Sequence, residues 1–201
     1  MDDRYFKKIM GEKCYLSPMS MEDAAQYAEW LNDTAVGLPL LQIGEVLNLE
    51  KEKDQLKSLS QGYNFSIVDK DKDKLIGSIG LFNVDLVHGR AEMGIMIGDR
   101  NFWNRGYGTE ATQLLLDFSF NALNLSHIRL GVFSFNPRAI RCYEKVGFKT
   151  VGKFTEYIQI AGTRYDMILM EMLAKDYESV YLKKALEDVM EDKPSSNLEL
   201  L

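Results

Sequence analysis

The chain has 201 residues, 46% of them hydrophobic and 27% charged, with a net charge of −6, enough apolar material for one domain with a substantial core. No run of about 18 apolar residues could span a bilayer, and the opening "MDDRYFKKIM" lacks the apolar stretch of a secretory signal, so a cytoplasmic protein with no membrane partner is expected. Residues 187–201 hold five acids against one base and account for −4 of the charge, leaving −2 for the body and no basic excess for nucleic acid.

Residues 12–17, "EKCYLS", form an expected opening strand, followed by an amphipathic helix in "SMEDAAQYAEWLND" with Ser20 as N-cap and Asp23 in a capping-box position. A second helix is expected over about 44–60. "YNFSIVDK" and "KLIGSIGLFNVD" bracket the charged turn "DKDKD" as a hairpin, and "AEMGIMIG" adds a third antiparallel strand. From Thr109, apolar residues Ala111, Leu114, Leu115, Phe118 and Ala122 follow helical spacing, with Glu110 in the first turn. "HIRLGVFS" reads as a strand, "PRAIRCYEKV" as a short helix closed by Gly147, and 148–159 with 164–173 as a terminal hairpin. Residues 174–190 carry a further amphipathic helix with Leu182, Leu186 and Val189 on one side, and "EDKPSSNLELL" reads as a frayed tail.

Cys14 and Cys142 lie far apart, and His88 and His127 lack neighbouring ligands, so reduced thiols and no metal site are expected. The chemistry concentrates in "FWNRGYGTEATQLLLDFSF", where two glycines and a basic residue precede a helix. Glycine lets a ligand approach the backbone, and the first helical turn presents unpaired N–H groups with partial positive charge, a site for phosphate or another anion. A dinucleotide fold would need three glycines after the first strand, and a P-loop would need a Gly-Lys-Ser/Thr ending. Neither is present.

The order of elements, with "AEMGIMIGDRNFWNRGYGTEA", "FNPRAIRCYEKVGF" and "RYDMILM", resembles the GNAT superfamily of acetyl-CoA-dependent N-acetyltransferases over residues 12–173, and most closely its ribosomal-protein N-terminal and spermidine acetyltransferase branch. The resemblance implies an α/β (α+β) fold, a mixed, mostly antiparallel sheet of about seven strands flanked by helices, with a splayed strand pair that binds coenzyme A. Residues 1–173 would then be the acetyltransferase domain and 174–201 a C-terminal helix with an acidic tail. The family signature falls on Trp103, Asn104, Arg105, Gly106, Tyr107 and Gly108, with Trp103 in place of the usual polar first residue. By resemblance this turn and Thr109 hold the pyrophosphate of acetyl-CoA. By resemblance Met96, Ile97 and Gly98 offer backbone to the pantetheine arm; the alternative is that Gly94 and Gly98 merely relieve crowding or mark a bulge.

Acetyl transfer to an amine needs an unprotonated nucleophile, a polarised carbonyl and a proton for the thiolate. Neutralising an alkylammonium at pH 7 costs about 4.6 kcal/mol, an α-ammonium about 1.1 kcal/mol. By resemblance Glu92 takes that proton, directly or through water, or else serves as a substrate-binding or merely exposed anion. Tyr143, seven residues after Asn136, matches the family tyrosine beside the coenzyme sulfur, a general acid whose alternative is an aromatic in the core. Asn136 binds near the pantetheine, caps the helix at Pro137, or both. The acceptor is a polyamine-like small molecule or a protein N-terminus, its pocket bordered by Trp30–Thr34 and Tyr157–Tyr165. No metal is implied, and a homo-oligomer is compatible with the sequence. A catalytically silent acyl-CoA-binding regulator is the competing reading, since a retained fold does not establish turnover.

Overall fold

A computed structural model describes residues 4–191. In chain order the elements are β1 (Ile9–Met10), β2 (Cys14–Pro18), α1 (Ala24–Asn32), α2 (Thr34–Gly37), α3 (Leu49–Leu59), β3 (Asn64–Asp69), β4 (Lys74–Asp85), β5 (Arg90–Ile97), α4 (Tyr107–Asn121), β6 (His127–Phe133), α5 (Pro137–Val146), β7 (Lys149–Ile160), β8 (Thr163–Leu173) and α6 (Leu182–Glu191). One sheet of eight strands runs in the order β1-β2-β3-β4-β5-β6-β8-β7. Every neighbouring pair is antiparallel except β5 and β6. The eighth strand is the two-residue β1, too short for an alternating pattern to announce.

Helices cover both faces of the sheet, and the alternation of β5 sorts the two cores. Ala91 and Met93 point to the larger core, where α4 buries Leu114, Leu115 and Leu116 completely, each worth about 1.5–3 kcal/mol of apolar burial. Met96 points the other way, to Tyr27, Trp30 and Leu31 of α1 and Leu56 of α3. No helix among the described residues is long and apolar enough to cross a membrane.

Local chemistry moves several boundaries. Ser20 caps a 3-10 turn, Met21–Asp23, that leads into α1. Asp23 does not close a capping box: its buried carboxylate instead accepts the Tyr5 hydroxyl at 2.9 Å and pairs with Arg4. Residues 34–44 form only short helical turns, and the second helix is shorter than expected because the chain is extended at Glu45 and again at Asn48. Asn48 then caps α3 by accepting the Lys51 N–H.

Past β8, Ala174–Asp176 is a 3-10 turn, and the C-terminal helix starts at Leu182 rather than at 174. Its start is fastened to α4: fully buried Asp117 accepts the N–H groups of Val180, Tyr181 and Leu182 at 3.3, 2.7 and 3.2 Å. The expected frayed tail begins at Glu191, which still belongs to α6, and the rest of it lies outside the described residues.

Candidate active site

Among the described residues one strand pair is parallel, and the sheet opens where that pair fails. β5 and β6 are in register at Arg90–His127, Ala91–Ile128 and Glu92–Arg129 and pair no further. From Met93 onward β5 has no strand on that side, so backbone groups that a sheet would consume face a cavity of about 400 Å³. Its walls are Met93–Ile97 of β5, Gly131–Phe133 of β6, the start of α4 and one side of α5.

At the cavity's end the chain turns from β5 into α4. Asp99 accepts the Asn101 N–H at 3.0 Å and the Lys74 ammonium at 2.6 Å, bracing the turn. Asn104 (φ 58°) and Gly106 (φ 89°) then adopt left-handed backbone, which Asn tolerates and glycine takes without penalty. The first helical bond of α4 runs from Glu110 N–H to the Gly106 carbonyl. The N–H groups of Tyr107, Gly108 and Thr109 thus precede it, and Gly106 supplies no side-chain cap.

The two glycines do different work. Gly106 is required by its φ. Gly108 lies in helical backbone, and a Cβ there would meet Cys142 Sγ at 3.6 Å and Ile97 Cγ1 at 3.9 Å, ordinary contacts. Protein packing does not demand glycine at 108. Its missing side chain keeps open the space over the N–H groups of the first turn, which fits a ligand's phosphates passing close to the backbone. Glu110, one turn on, does more than complement the helix dipole: its carboxylate accepts the N–H groups of Lys13 and Cys14 at 2.7 and 3.0 Å, tying β2 to the start of α4.

Trp103 anchors the turn through its indole N–H, which donates to the Ile97 carbonyl at 2.7 Å, while the Arg138 guanidinium stacks 3.5 Å above its ring. The Ile97 carbonyl is thereby committed within the protein. Gly98 does not line the cavity: its N–H donates to the Ile76 carbonyl, and a Cβ would strike Trp30 at 2.1 Å. Its glycine serves packing, as does Trp30, which is buried and in edge contact with Tyr27. Met96 and Ile97 line the cavity. The Tyr107 side chain turns away, donating to Asp69 at 2.5 Å, and exposed Arg105 reaches the Asn101 carbonyl.

α5 brings the second motif to the cavity. Asn136 caps it by accepting the Ala139 N–H at 3.2 Å and also lines the cavity. Tyr143 lines it too, its ring buried edge-on against Phe148, and its hydroxyl has no hydrogen-bond partner among the described residues. Burial, reinforced by the neighbouring Cys142 thiol, pushes the phenol upward, so it is a protonated donor at neutral pH.

The sequence reading missed the basic side of α5. Arg138, Arg141 and Lys145 line the cavity, and their i, i+3, i+7 spacing, visible in "PRAIRCYEK", is the signal that could have found them. It also missed Val36, Pro39 and Leu40, which close the cavity from the α2 side. No residue of the terminal hairpin lines it: Tyr157 is exposed and Tyr165 packs on Phe135.

Glu92 stands at the closed end of the split, outside the lining. Its Oε1 accepts the Arg129 guanidinium at 2.6 Å and the Asn83 amide at 3.2 Å. Period-2 alternation puts it on the face of β5 shared by Gly94 and Met96.

Residues 13–149 match the acetyltransferase (GNAT) domain. The chain belongs to the GNAT acetyltransferase family. It is 34% identical over 166 residues to the uncharacterized N-acetyltransferase YoaA of Bacillus subtilis, covering 80% of this chain and 93% of that protein. It is 32% identical over 111 residues to a spermidine N(1)-acetyltransferase of Vibrio cholerae, covering 55% and 64% respectively. Among solved structures it resembles spermidine N-acetyltransferase from Vibrio cholerae in complex with CoA and spermine, with a TM-score of 0.76, 24% identity, and 83% and 99% of the two chains covered.

Proposed function

We propose that the protein is an acetyl-CoA-dependent N-acetyltransferase that delivers acetyl to a primary amine, either a polyamine-like small molecule or a protein N-terminus. The observation that carries the reading is the uncapped start of α4, with a sterically unneeded glycine at 108, opening into the gap left by β6. Acetyl-CoA, when bound, supplies the thioester. The residues fit it: N–H groups of Tyr107, Gly108 and Thr109 suit the pyrophosphate, Arg138, Arg141 and Lys145 suit further phosphate charge, and the unpaired edge of β5 suits an amide-bearing arm that adds like a strand.

Tyr143 is the proton donor to the departing sulfur. A phenol raised by burial is a weak acid, so it assists by hydrogen bonding as charge develops on sulfur rather than by donating beforehand. The proton lost by the attacking amine passes to water. Glu92, outside the cavity lining and engaged by Arg129, can receive it only through that water and otherwise serves as an anion at the closed end of the split. The test is an acceptor screen with acetyl-CoA across polyamines, aminoglycosides and short peptides, reading free thiol. Amine-dependent release supports the reading; tight CoA binding without release from any acceptor would leave a silent coenzyme-binding protein.

A further inference from the structure

On the opposite face of β5 lies a second cavity of about 300 Å³, between α1, α3 and the strands β3, β4 and β5. The two cavities share Leu40, Gly94, Ile95 and Met96. They meet on the part of β5 that has lost its neighbour, and Gly94 contributes no side chain to the wall between them. Most of the second lining is apolar, including Tyr27, Leu56, Phe82 and Met96.

One charged group is built into it. Glu52 lines the cavity and is only 2% exposed. Its Oε2 is buried without a hydrogen-bond partner, and it has no ion pair among the described residues. In α3, Glu52 falls on the stripe of Leu49, Leu56 and Leu59, while Glu50, Lys51, Lys53 and Asp54 face solvent. A carboxylate on an apolar stripe costs stability unless something completes it.

We propose that this cavity is the acceptor subsite and that the Glu52 carboxylate binds an ammonium group of a small amine with an apolar body. This rests on the acetyltransferase reading. A peptide N-terminus fits less well, because a peptide brings amides that need partners. Beyond Glu52 the polar lining is limited to a few groups such as Gln42, Gln55 and Ser78, since the Asn64 amide already donates to the Leu59 carbonyl. An amine seated on Glu52 lies across Gly94 from the cavity that fits the thioester.

Burial alone raises the Glu52 carboxyl to about 7. The other ionisable group in the lining is Tyr27 of α1, whose hydroxyl is engaged by Ser66 and the Gly77 carbonyl. β3, β4 and β5 contribute no titrating side chain to it, and Asp23, on the turn packed against α3, is held by Tyr5 and Arg4. The n-butylammonium keeps its charge to about pH 10, but the phosphate monoester of the loaded CoA takes up a proton at about pH 6, and burial also raises Asp23. The part of the pH dependence that is present in wild type and lost in Glu52→Gln therefore reports Glu52. Affinity should rise with pH through about 7 as the carboxyl ionises.

The test is calorimetric titration of the CoA-loaded protein with n-butylamine and spermidine, between pH 5.5 and 8, for wild type and Glu52→Gln. Expected are at least tenfold weaker amine binding in the variant, loss of that part of the pH dependence and unchanged CoA affinity. A folded-state carboxyl above its unfolded value stabilises at low pH, and that contribution is lost as pH rises through about 7. Glu52→Gln should therefore hold or raise Tm at pH 8, keeping the comparison between folded proteins.

Equal amine affinity in both proteins overturns the proposal, as does pH-independent binding in wild type, which can be measured whether or not the variant folds. Acetylation of peptides with no small-amine binding also overturns it. Amine binding lost in Glu52→Gln, with no thiol release from wild type, would uphold the cation site while removing the acetyltransferase reading beneath it.

Discussion

Two helix N-termini in this molecule are finished in opposite ways. At α6 the chain supplies its own anion: Asp117, carried on α4, receives the N–H groups of Val180, Tyr181 and Leu182. At α4 no side chain caps Gly106, and the N–H groups of the first turn border a cleft. Both ends carry the same partial positive charge. One is closed as a joint between helices, and the other, on the proposed function, is left for an anion from outside. A helix start by itself carries no functional message; the partner of its N–H groups does.

The largest effect should come from the group that the open end serves. Tyr143→Phe keeps the ring against Phe148 and removes the hydroxyl, and should lower kcat about 100-fold while acetyl-CoA affinity changes little. Steady-state kinetics with calorimetry separate the two. A loss under about threefold, with chemistry still rate-limiting, would make Tyr143 a packing residue.

Opening the closed end should cost stability alone. Asp117→Ala strands three N–H groups and should destabilise the fold by about 1–3 kcal/mol, seen as a lower denaturant midpoint at unchanged slope with CoA binding intact. A loss of coenzyme affinity at unchanged stability would reverse the assignment of the two ends.

Blocking the open end should do the converse. Gly108→Val adds its branches where the protein's nearest atoms are 3.6 and 3.9 Å from Cβ, so Tm should be nearly unchanged while CoA affinity falls at least tenfold, about 1.4 kcal/mol. Unchanged affinity in the folded variant would remove the phosphate assignment. The smallest effect is expected of Arg138→Ala, a three- to tenfold weakening, about 1 kcal/mol, that shrinks as salt rises. An effect independent of salt would mean that Arg138 acts by stacking on Trp103 and not by its charge.

Much of the fold was legible because its signals are local. The periodicity of residues 109–122, the charged turn between β3 and β4 and the cap at Asn136 are short-range features, and each reappears in the structure. The capping-box reading of Asp23 failed because Tyr5 and Arg4, 18 and 19 residues earlier, outcompeted the helix for its carboxylate. Within the site, "RGYGTEA" marked a glycine-bearing turn entering a helix, as the structure has it, while the left-handed backbone at Asn104 and Gly106 and the contact that makes Gly98 a packing glycine against Trp30 appear only in the tertiary structure.

The sequence by itself determined where backbone must turn, which helix starts with glycine, and which residue types cluster near that start, since these follow from φ preferences and spacing within one or two turns. The contrast between two carboxylates was decided only by the tertiary structure. Glu92, in the recognisable strand, is 36% exposed along its side chain and paired with Arg129, whereas Glu52, in a helix to which the sequence reading gave no role in the site, is buried without a cation. Burial and partnership are sums over residues distant in the chain: the point at which β6 leaves β5, the packing of α3 on α1, and the reach of Asp117 to α6. No window of sequence contains those sums, and they settle which charge is left needing a ligand.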